Sequence, residues 1–371
     1  MSYNFFYRAD DPDRFETAAA AYCAQRKIDV RYLSHFRDYQ AAYSGTLIAD
    51  RSFLVVFRGE TVGIVYAPIE HRDDGPSLSI GGSYACAPVT DDEATEKVAY
   101  QQMDDIARES GATRIMLHAC PSSHIWRSNR MRRYGYVDTS TLDVIMDLTQ
   151  DENALWLSVR KSYRPMINKY TDRNGYRLTI IDAEHPNYEL HEVYRHLHVK
   201  AAGRVTRDKE TFDLQYRMLL DGNATLIVLE NDQAVLGCAY FLHHGIGVDY
   251  FSMADDPELH SLRLPISHIL VWAAARRFKG LGFRQLRLSP PAGFAEVGGF
   301  GDYADRKALA IAHFKHGMAD DTVPYYRGIR YFSETAINGD VAAFRAAMLR
   351  QLKGVREGGN STETANALTQ N

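Results

Sequence analysis

The strongest constraint on how this chain can fold is that it contains its own near-copy. Residues 53–65 read Phe-Leu-Val-Val-Phe, then Arg-Gly-Glu, then Thr-Val-Gly-Ile-Val. Residues 225–240 read Thr-Leu-Ile-Val-Leu-Glu, then Asn-Asp-Gln, then Ala-Val-Leu-Gly-Cys-Ala-Tyr. Each is an apolar strand, a polar turn and a second strand opening with a Val and a Gly, which is the pattern of a hairpin. Downstream the match continues. Ala94, Val98, Met103 and Ile106 recur at helical spacing over 92–109, and Gly111 then precedes Thr-Arg-Ile-Met-Leu. A second helix is expected over 265–279, starting on Pro265 and ending near Gly280-Leu-Gly282, before Phe-Arg-Gln-Leu-Arg-Leu. Pro in the first turn and Gly just past the last are helix punctuation. The separations also agree, Gly63 to Gly111 in one copy and Gly237 to Gly282 in the other. Two tandem α/β units follow, each ordered hairpin, strand, helix, strand.

At 371 residues the chain is long enough for two such cores. The expected division is 1–152, 153–355 and a disordered tail over 356–371, with a late helix at 338–353. Apolar residues at 45% and charged residues at 24% are ordinary globular values. The formal charge of −4 gives no global attraction to nucleic acid or membrane. The charge is unevenly spread, however. Between Trp156 and Arg177 stand six basic residues (Arg160, Lys161, Arg164, Lys169, Arg173, Arg177) and one acid, Asp172. The four cysteines (Cys23, Cys86, Cys120, Cys238) show no CxxC and no zinc spacing, which suggests free thiols in a reducing compartment and no metal. The N-terminus lacks a signal-peptide pattern and no apolar run approaches a membrane span, so a cytoplasmic protein is expected.

The hairpin–strand–helix–strand unit, followed by a Tyr-Gly-Tyr or Gly-Ile-Arg-Tyr segment, resembles the GNAT acyltransferase fold. Two units in tandem, with a basic Leu-Trp-x-Ser-x-Arg-Lys-Ser-x-Arg segment opening the second, resemble the FemABX-type transferases and related cell-envelope and sugar acyltransferases. Ile311-Ala-His-Phe314-Lys315-His-Gly317-Met is similar to that family's Phe-Lys-x-Gly-Phe segment, with Met318 in place of the usual Phe. The resemblance implies an α/β (α+β) protein of two GNAT-like domains, each a mixed, mostly antiparallel sheet flanked by helices. The first copy looks degenerate and the second carries the active site. The implied donor is acyl-CoA (acetyl-CoA) or aminoacyl-tRNA, and the implied acceptor a small-molecule amine, nucleotide-linked or otherwise a cell-envelope precursor. One departure concerns the donor. A GNAT unit usually holds a pyrophosphate with a glycine-rich loop at a helix N-terminus. Here that stretch is Ala254 to Pro265, with no glycine and three acids, and Pro88-Val-Thr-Asp-Asp-Glu in the first copy is no better.

Candidate site residues follow. The resemblance places Lys315 at the oxyanion of an acyl transfer or on an acceptor phosphate, with Phe314 orienting it; a fixed donor at an oxyanion contributes about 3–4 kcal/mol. The bland alternative is a Lys favoured by a helix C-terminus. An acceptor amine must lose a proton before attack. On strand 247–253 alternation puts Val248, Tyr250 and Ser252 on one face and Asp249, Phe251 and Met253 on the other. Asp249 is the carboxylate candidate for base, against a solvated strand-end acid; Tyr250 and Ser252 could donate or relay. His268, at the start of the second helix, is the alternative base, against an interface histidine. Arg204 and Arg207, on the loop after Gly203, suit a carboxylate or phosphate. His198 lies beside them, and no metal site with His196 is expected because the two cannot share a helical face. Arg164, one helical turn from Arg160 on an expected basic helix 156–169, fits a diphosphate, an RNA phosphate or a solvated face. A Cys/His nucleophile at Cys86 or Cys120 and His118 competes with ordinary buried cysteines. Together these readings suggest an N-acyltransferase, with an aminoacyl-tRNA-dependent Fem-type transferase and a non-catalytic binding module as alternatives.

Overall fold

The computed structural model describes residues 2–124, 126–170, 175–262, 264–289, 306–319 and 321–358. Its strands form three sheets. The first orders β1 (Asn4–Tyr7), β3 (Phe53–Phe57), β4 (Glu60–Val65) and β8 (Val89–Thr90). The second runs β10 (Val137–Asp138), β18 (Arg327–Tyr331), β9 (Arg114–His118), β6 (Ser77–Leu78), β5 (Pro68–Glu70) and β2 (Leu47–Asp50), with β7 (Ala85–Cys86) also on β9. The third orders β12 (Tyr176–Ile181), β13 (Ala224–Asn231), β14 (Val235–His244), β15 (Gly247–Asp255), β16 (Gln285–Arg287), β11 (Thr141–Asp147) and β17 (Asp321–Tyr325). The described helices are α1 (Pro12–Arg26), α2 (Ser34–Ser44), α3 (Glu93–Glu109), α4 (Glu152–Ser158), α5 (Tyr163–Lys169), α6 (Tyr188–Ala202), α7 (Lys209–Leu220), α8 (Ile266–Gly280), α9 (Arg306–Met318) and α10 (Glu334–Gly358). None of them is long and apolar enough to cross a membrane.

Both hairpins read from the sequence form, as β3–β4 and β13–β14. Arg58 and Gly59 close the first with positive φ at both positions, the turn that matches strand twist. The helices α3 and α8 follow the hairpins as the periodicity implies. In the second copy β15 adds to the hairpin along nearly its whole length, whereas the equivalent β8 is a two-residue stub. The copies also exchange strands. β11, from the first half, lies between β16 and β17, while β18, near the C-terminus, lies between β10 and β9. α10 extends the expected late helix to Gly358, and the rest of the anticipated tail lies outside the described residues.

The basic helix expected over 156–169 is instead two short helices, α4 and α5. Pro165 explains the break, because its ring and missing N–H are tolerated only in a helix's first turn, and it occupies that turn of α5. Arg164 then folds back to donate to the Leu157 and Val159 carbonyls at 2.7 and 2.8 Å, capping the end of α4. Arg173 of the basic run lies outside the described residues.

The halves also share core. α2 inserts Phe36 and Tyr39 into the cluster built by Tyr194, Phe212 and Tyr240 of the second half. The turn between β14 and β15 meets the chain after α1. Gly245 has φ +63, and a Cβ there would lie 2.1 Å from the Lys27 carbonyl oxygen. Gly245→Ala is therefore expected to be strongly destabilising. The left-handed backbone alone costs about 1–2 kcal/mol, and the opposing atom is backbone and cannot rotate away. Thermal unfolding followed by circular dichroism should show a melting temperature at least about 4 °C lower; an unchanged value would refute the contact.

Candidate active site

The site is positioned by the way β15 parts from β16. The two strands pair in parallel through Gly247–Gln285, Val248–Leu286 and Asp249–Arg287 only. From Tyr250 to Asp255 that edge of β15 has no strand partner among the described residues, so a gap opens beside α8. Within it the register against β14 shifts, with Phe241 opposite Tyr250 and Tyr240 opposite Ser252, leaving Phe251 as the extra residue of a bulge. The strict alternation expected here therefore fails. Val248, Tyr250 and Met253 pack toward α8, while Phe251, Ser252 and Ala254 face the α6–α7 side, where the Tyr194 hydroxyl meets Ser252 Oγ at 2.6 Å.

Asp249 is not a solvated strand end. It lies in a buried ion network whose side chains are at most 15% exposed. Arg287 donates through Nε to Asp143 at 2.7 Å and approaches Asp249 Oδ1 at 2.9 Å. Arg31 reaches Asp249 Oδ2 and Asp29 Oδ1, each at 2.9 Å. Three carboxylates thus share two guanidiniums, one from each half of the chain. Burial pushes the Asp249 carboxyl up against the pull of Arg287 and Arg31. Asp29 is also penalised by burial, but Arg31, Arg287 and Ser122 hold it near 2. Lys315, in the last turn of α9, senses Asp143 and Arg287; burial lowers its pKa from the usual lysine value.

His268 sits at the start of α8, edge-on to Tyr163 (4.3 Å between centroids) and Phe314 (4.8 Å). Burial and the charge of Arg160 lower its pKa to about 4, so the imidazole is neutral at pH 7. Both its ring nitrogens are buried and without a hydrogen-bond partner among the described residues. Tyr163 can approach because position 317 is glycine: a Cβ there would lie 2.2 Å from the Tyr163 ring. The same segment is pinned by the Arg160 N–H to the Gly317 carbonyl at 2.8 Å. Ser267, the neighbour of His268, donates to Met253 Sδ at 3.0 Å.

On the α6–α7 side Arg207 is 9% exposed. It donates to the hydroxyls of Tyr39 (2.5 Å) and Tyr194 (3.0 Å) and to Gln215 Oε1 (2.9 Å), and its guanidinium lies 3.8 Å from the Phe212 ring centroid. No carboxylate pairs with it among the described residues. Its Nε and the Gln215 Nε2 are buried donors without acceptors. His198 lies alongside, 3.3 Å from Thr206 Oγ1, while Arg204 is exposed on the loop.

The structure therefore places Tyr250, His268 and Phe314 on the α8 side of β15, Asp249 in the Arg287 network that Lys315 also senses, and Ser252 on the opposite face with Tyr194 and Arg207. Arg164 is occupied by carbonyls and Arg204 points to solvent. Sequence reasoning passed over Asp29, Arg31, Asp143, Arg287, Tyr39 and Gln215. A basic residue inside the apolar Gln285-Leu-Arg-Leu strand was a readable sign of Arg287. The open edge of β15 leaves backbone groups from Tyr250 onward available to an extended ligand. The segment leading to α8 contains no glycine, and its Asp256 and Glu258 are paired with Lys200, so it lacks the glycine-rich loop that usually holds a pyrophosphate at a helix start.

Residues 158–303 match the family model described as "Acetyltransferase (GNAT) domain". No curated protein sequence matches the chain. Among solved structures it is similar to FemX, at 12% identity and a TM-score of 0.63, covering 91% of this chain and 99% of that one. It is similar to L-PGS from Bacillus licheniformis, at 12% identity and a TM-score of 0.53, covering 89% and 96%. A third likeness, at 13% identity and a TM-score of 0.53, covering 85% and 97%, is to the C-terminal domain of a protein described as a lysylphosphatidylglycerol synthetase from Agrobacterium fabrum. At these identities the structural likenesses speak for the fold, and the family model speaks for the chemistry of the second unit. Residues 158–303 therefore carry a GNAT acetyltransferase domain, and the chain as a whole shares the fold of FemX.

Proposed function

We propose that this protein transfers an acyl group to the primary amine of a nucleotide-linked amino sugar or another cell-envelope precursor. The observation that carries the acceptor class is Arg207. A guanidinium buried among two tyrosine hydroxyls and an amide, with no carboxylate beside it, is left with uncompensated charge, which an anionic ligand group would neutralise. A diphosphate or carboxylate on the acceptor meets that need, and Ser252 and Tyr250 lead from there along β15 to His268. In this reading the amine attacks the donor carbonyl, Lys315 stabilises the oxyanion, and neutral His268 takes the proton the amine sheds. Asp249 acts as a positioning residue that fixes Arg287 and Arg31.

A second reading, an aminoacyl-tRNA donor, is favoured by the acidic, glycine-free segment before α8 and by the neighbour named for lysylphosphatidylglycerol synthesis. The test is mass-spectrometric detection of acylated acceptor when full-length protein is given acyl-CoAs or charged tRNA together with UDP- or CMP-linked amino sugars. Arg207→Met should raise KM for a nucleotide-linked acceptor about tenfold or more, with kcat little changed, the loss of a charge-assisted hydrogen-bond pair. Turnover of neutral amines only, unaffected by Arg207→Met, would reject the acceptor class. Transfer from charged tRNA alone would select the second donor.

A further inference from the structure

One group of side chains takes no part in the transfer chemistry above. Cys86 lies on β7, His118 ends β9 and Cys120 follows; the two strands run parallel with Cys86 opposite His118. All three are buried, at 1%, 6% and 0% exposure, and both cysteines are free thiols. Cys86 Sγ lies 3.6 Å from His118 Nε2 and 3.9 Å from Cys120 Sγ, and Cys120 Sγ lies 3.9 Å from His118 Nδ1. One ligand atom from each residue falls within 4.8 Å of the other two. Packing accounts for two buried cysteines, which behave as small apolar groups. It does not account for an imidazole placed so that its nitrogens face sulfur.

With His118 Nε2 as the ligand atom, two of the three spacings are those of a tetrahedral coordination polyhedron. Zinc binds thiolate at about 2.3 Å and imidazole at about 2.0–2.1 Å in tetrahedral geometry, which sets neighbouring ligands about 3.8 Å apart for two sulfurs and about 3.6 Å for sulfur and nitrogen. The Cys86–Cys120 and Cys86–His118 separations lie within about 0.2 Å of those edges. We propose that Cys86, His118 and Cys120 form a binding site for a thiophilic divalent cation, with zinc as the preferred occupant. Thiolate with imidazole is the donor set that suits zinc among the abundant divalent ions. Binding deprotonates both thiols and releases their protons, so the two thiolates neutralise the charge of the ion. Three protein ligands leave the fourth position to water. The site escapes spacing rules because its ligands converge from neighbouring strands and not from a CxxC turn. Arg31, whose guanidinium stands 3.9 Å from Cys120 Sγ, also holds Asp29 and Asp249, so an ion here would brace the network between the two halves.

The test uses full-length protein purified without chelator. Elemental analysis is expected to find about one zinc per chain, and cobalt substitution to give intense tetrahedral visible bands with a sulfur-to-cobalt band in the near ultraviolet. Cys86→Ser with Cys120→Ser should weaken zinc binding about 100-fold or more, while Cys23→Ser with Cys238→Ser leaves it unchanged. If the first pair fails to fold, alkylation rates of the wild-type protein serve instead: zinc should slow alkylation of Cys86 and Cys120 and leave the rates at Cys23 and Cys238, equally buried, unchanged. Substoichiometric zinc with an octahedral cobalt spectrum, binding that survives the Cys86 and Cys120 changes, or equal alkylation of all four cysteines with and without zinc would overturn the proposal. A Cys86–Cys120 disulfide in metal-free protein, not displaced by reductant and zinc, would do so as well.

Discussion

Replacing Arg287 with Met is expected to destabilise the protein by about 3–5 kcal/mol, the largest stability effect of any single change in the second unit. Arg287 is the cation between Asp143 and Asp249, and all three are almost fully inaccessible to water. Without it two buried carboxylates face each other across β16, and Arg31 remains to satisfy Asp249 and Asp29 alone. Met keeps most of the volume, so the loss reports charge and not a cavity. The expected signature is a fall in urea midpoint at pH 7 that shrinks when Asp143→Asn is added, because the orphaned charge is then removed. Asp143→Asn with Arg287→Met should lie closer to wild type than Arg287→Met does. A single variant within about 1 kcal/mol of wild type would show that the network contributes little, as exposed ion pairs do.

That network also marks how far the sequence could be read. The hairpins, α3, α8 and the tandem order were legible because each rests on local signals: alternation, helical periodicity, Pro and Gly at the ends. Phe314, Lys315 and Gly317 were singled out by resemblance, and His268 and Arg207 by residue type at a helix start and on a loop; their roles belong to the proposed function. What stayed hidden depends on contacts across long stretches of chain. Arg287 meets Asp143, and Arg31 meets Asp249, only because β11 crosses into the third sheet and the loop after α1 docks on β15. The Phe251 bulge reversed the face assigned to Ser252, and no single-residue pattern encodes an inserted residue. Tyr39 entered the Arg207 cluster from α2, in the other half of the chain. Pro165, which splits α4 from α5, was visible but outweighed by the run of positive charge. Cys86, His118 and Cys120 failed every spacing rule for the same reason that Arg287 did, since strand pairing brings them together.

Lys315→Met is expected to lower kcat by about 10²–10³ with little change in acceptor KM, the loss typical of one oxyanion donor. The alternative role, a cation at the C-terminal end of α9, makes a different forecast: a stability loss of about 0.3–1 kcal/mol and an unchanged kcat. Steady-state kinetics and thermal unfolding of the one variant therefore separate the two. The pH profile adds an independent reading. Burial lowers the Lys315 pKa from 10.5, Asp143 opposes that shift and Arg287 reinforces it. A stabilising cation is lost as pH rises through a lowered pKa, so wild-type kcat should decline on the alkaline side before an ordinary lysine would titrate. Lys315→Arg keeps its charge throughout that range. Its kcat will be reduced by the altered reach of the guanidinium, yet the alkaline decline should disappear. A decline at the same pH in wild type and Lys315→Arg would assign it to another group and leave Lys315 with only its place at the helix end.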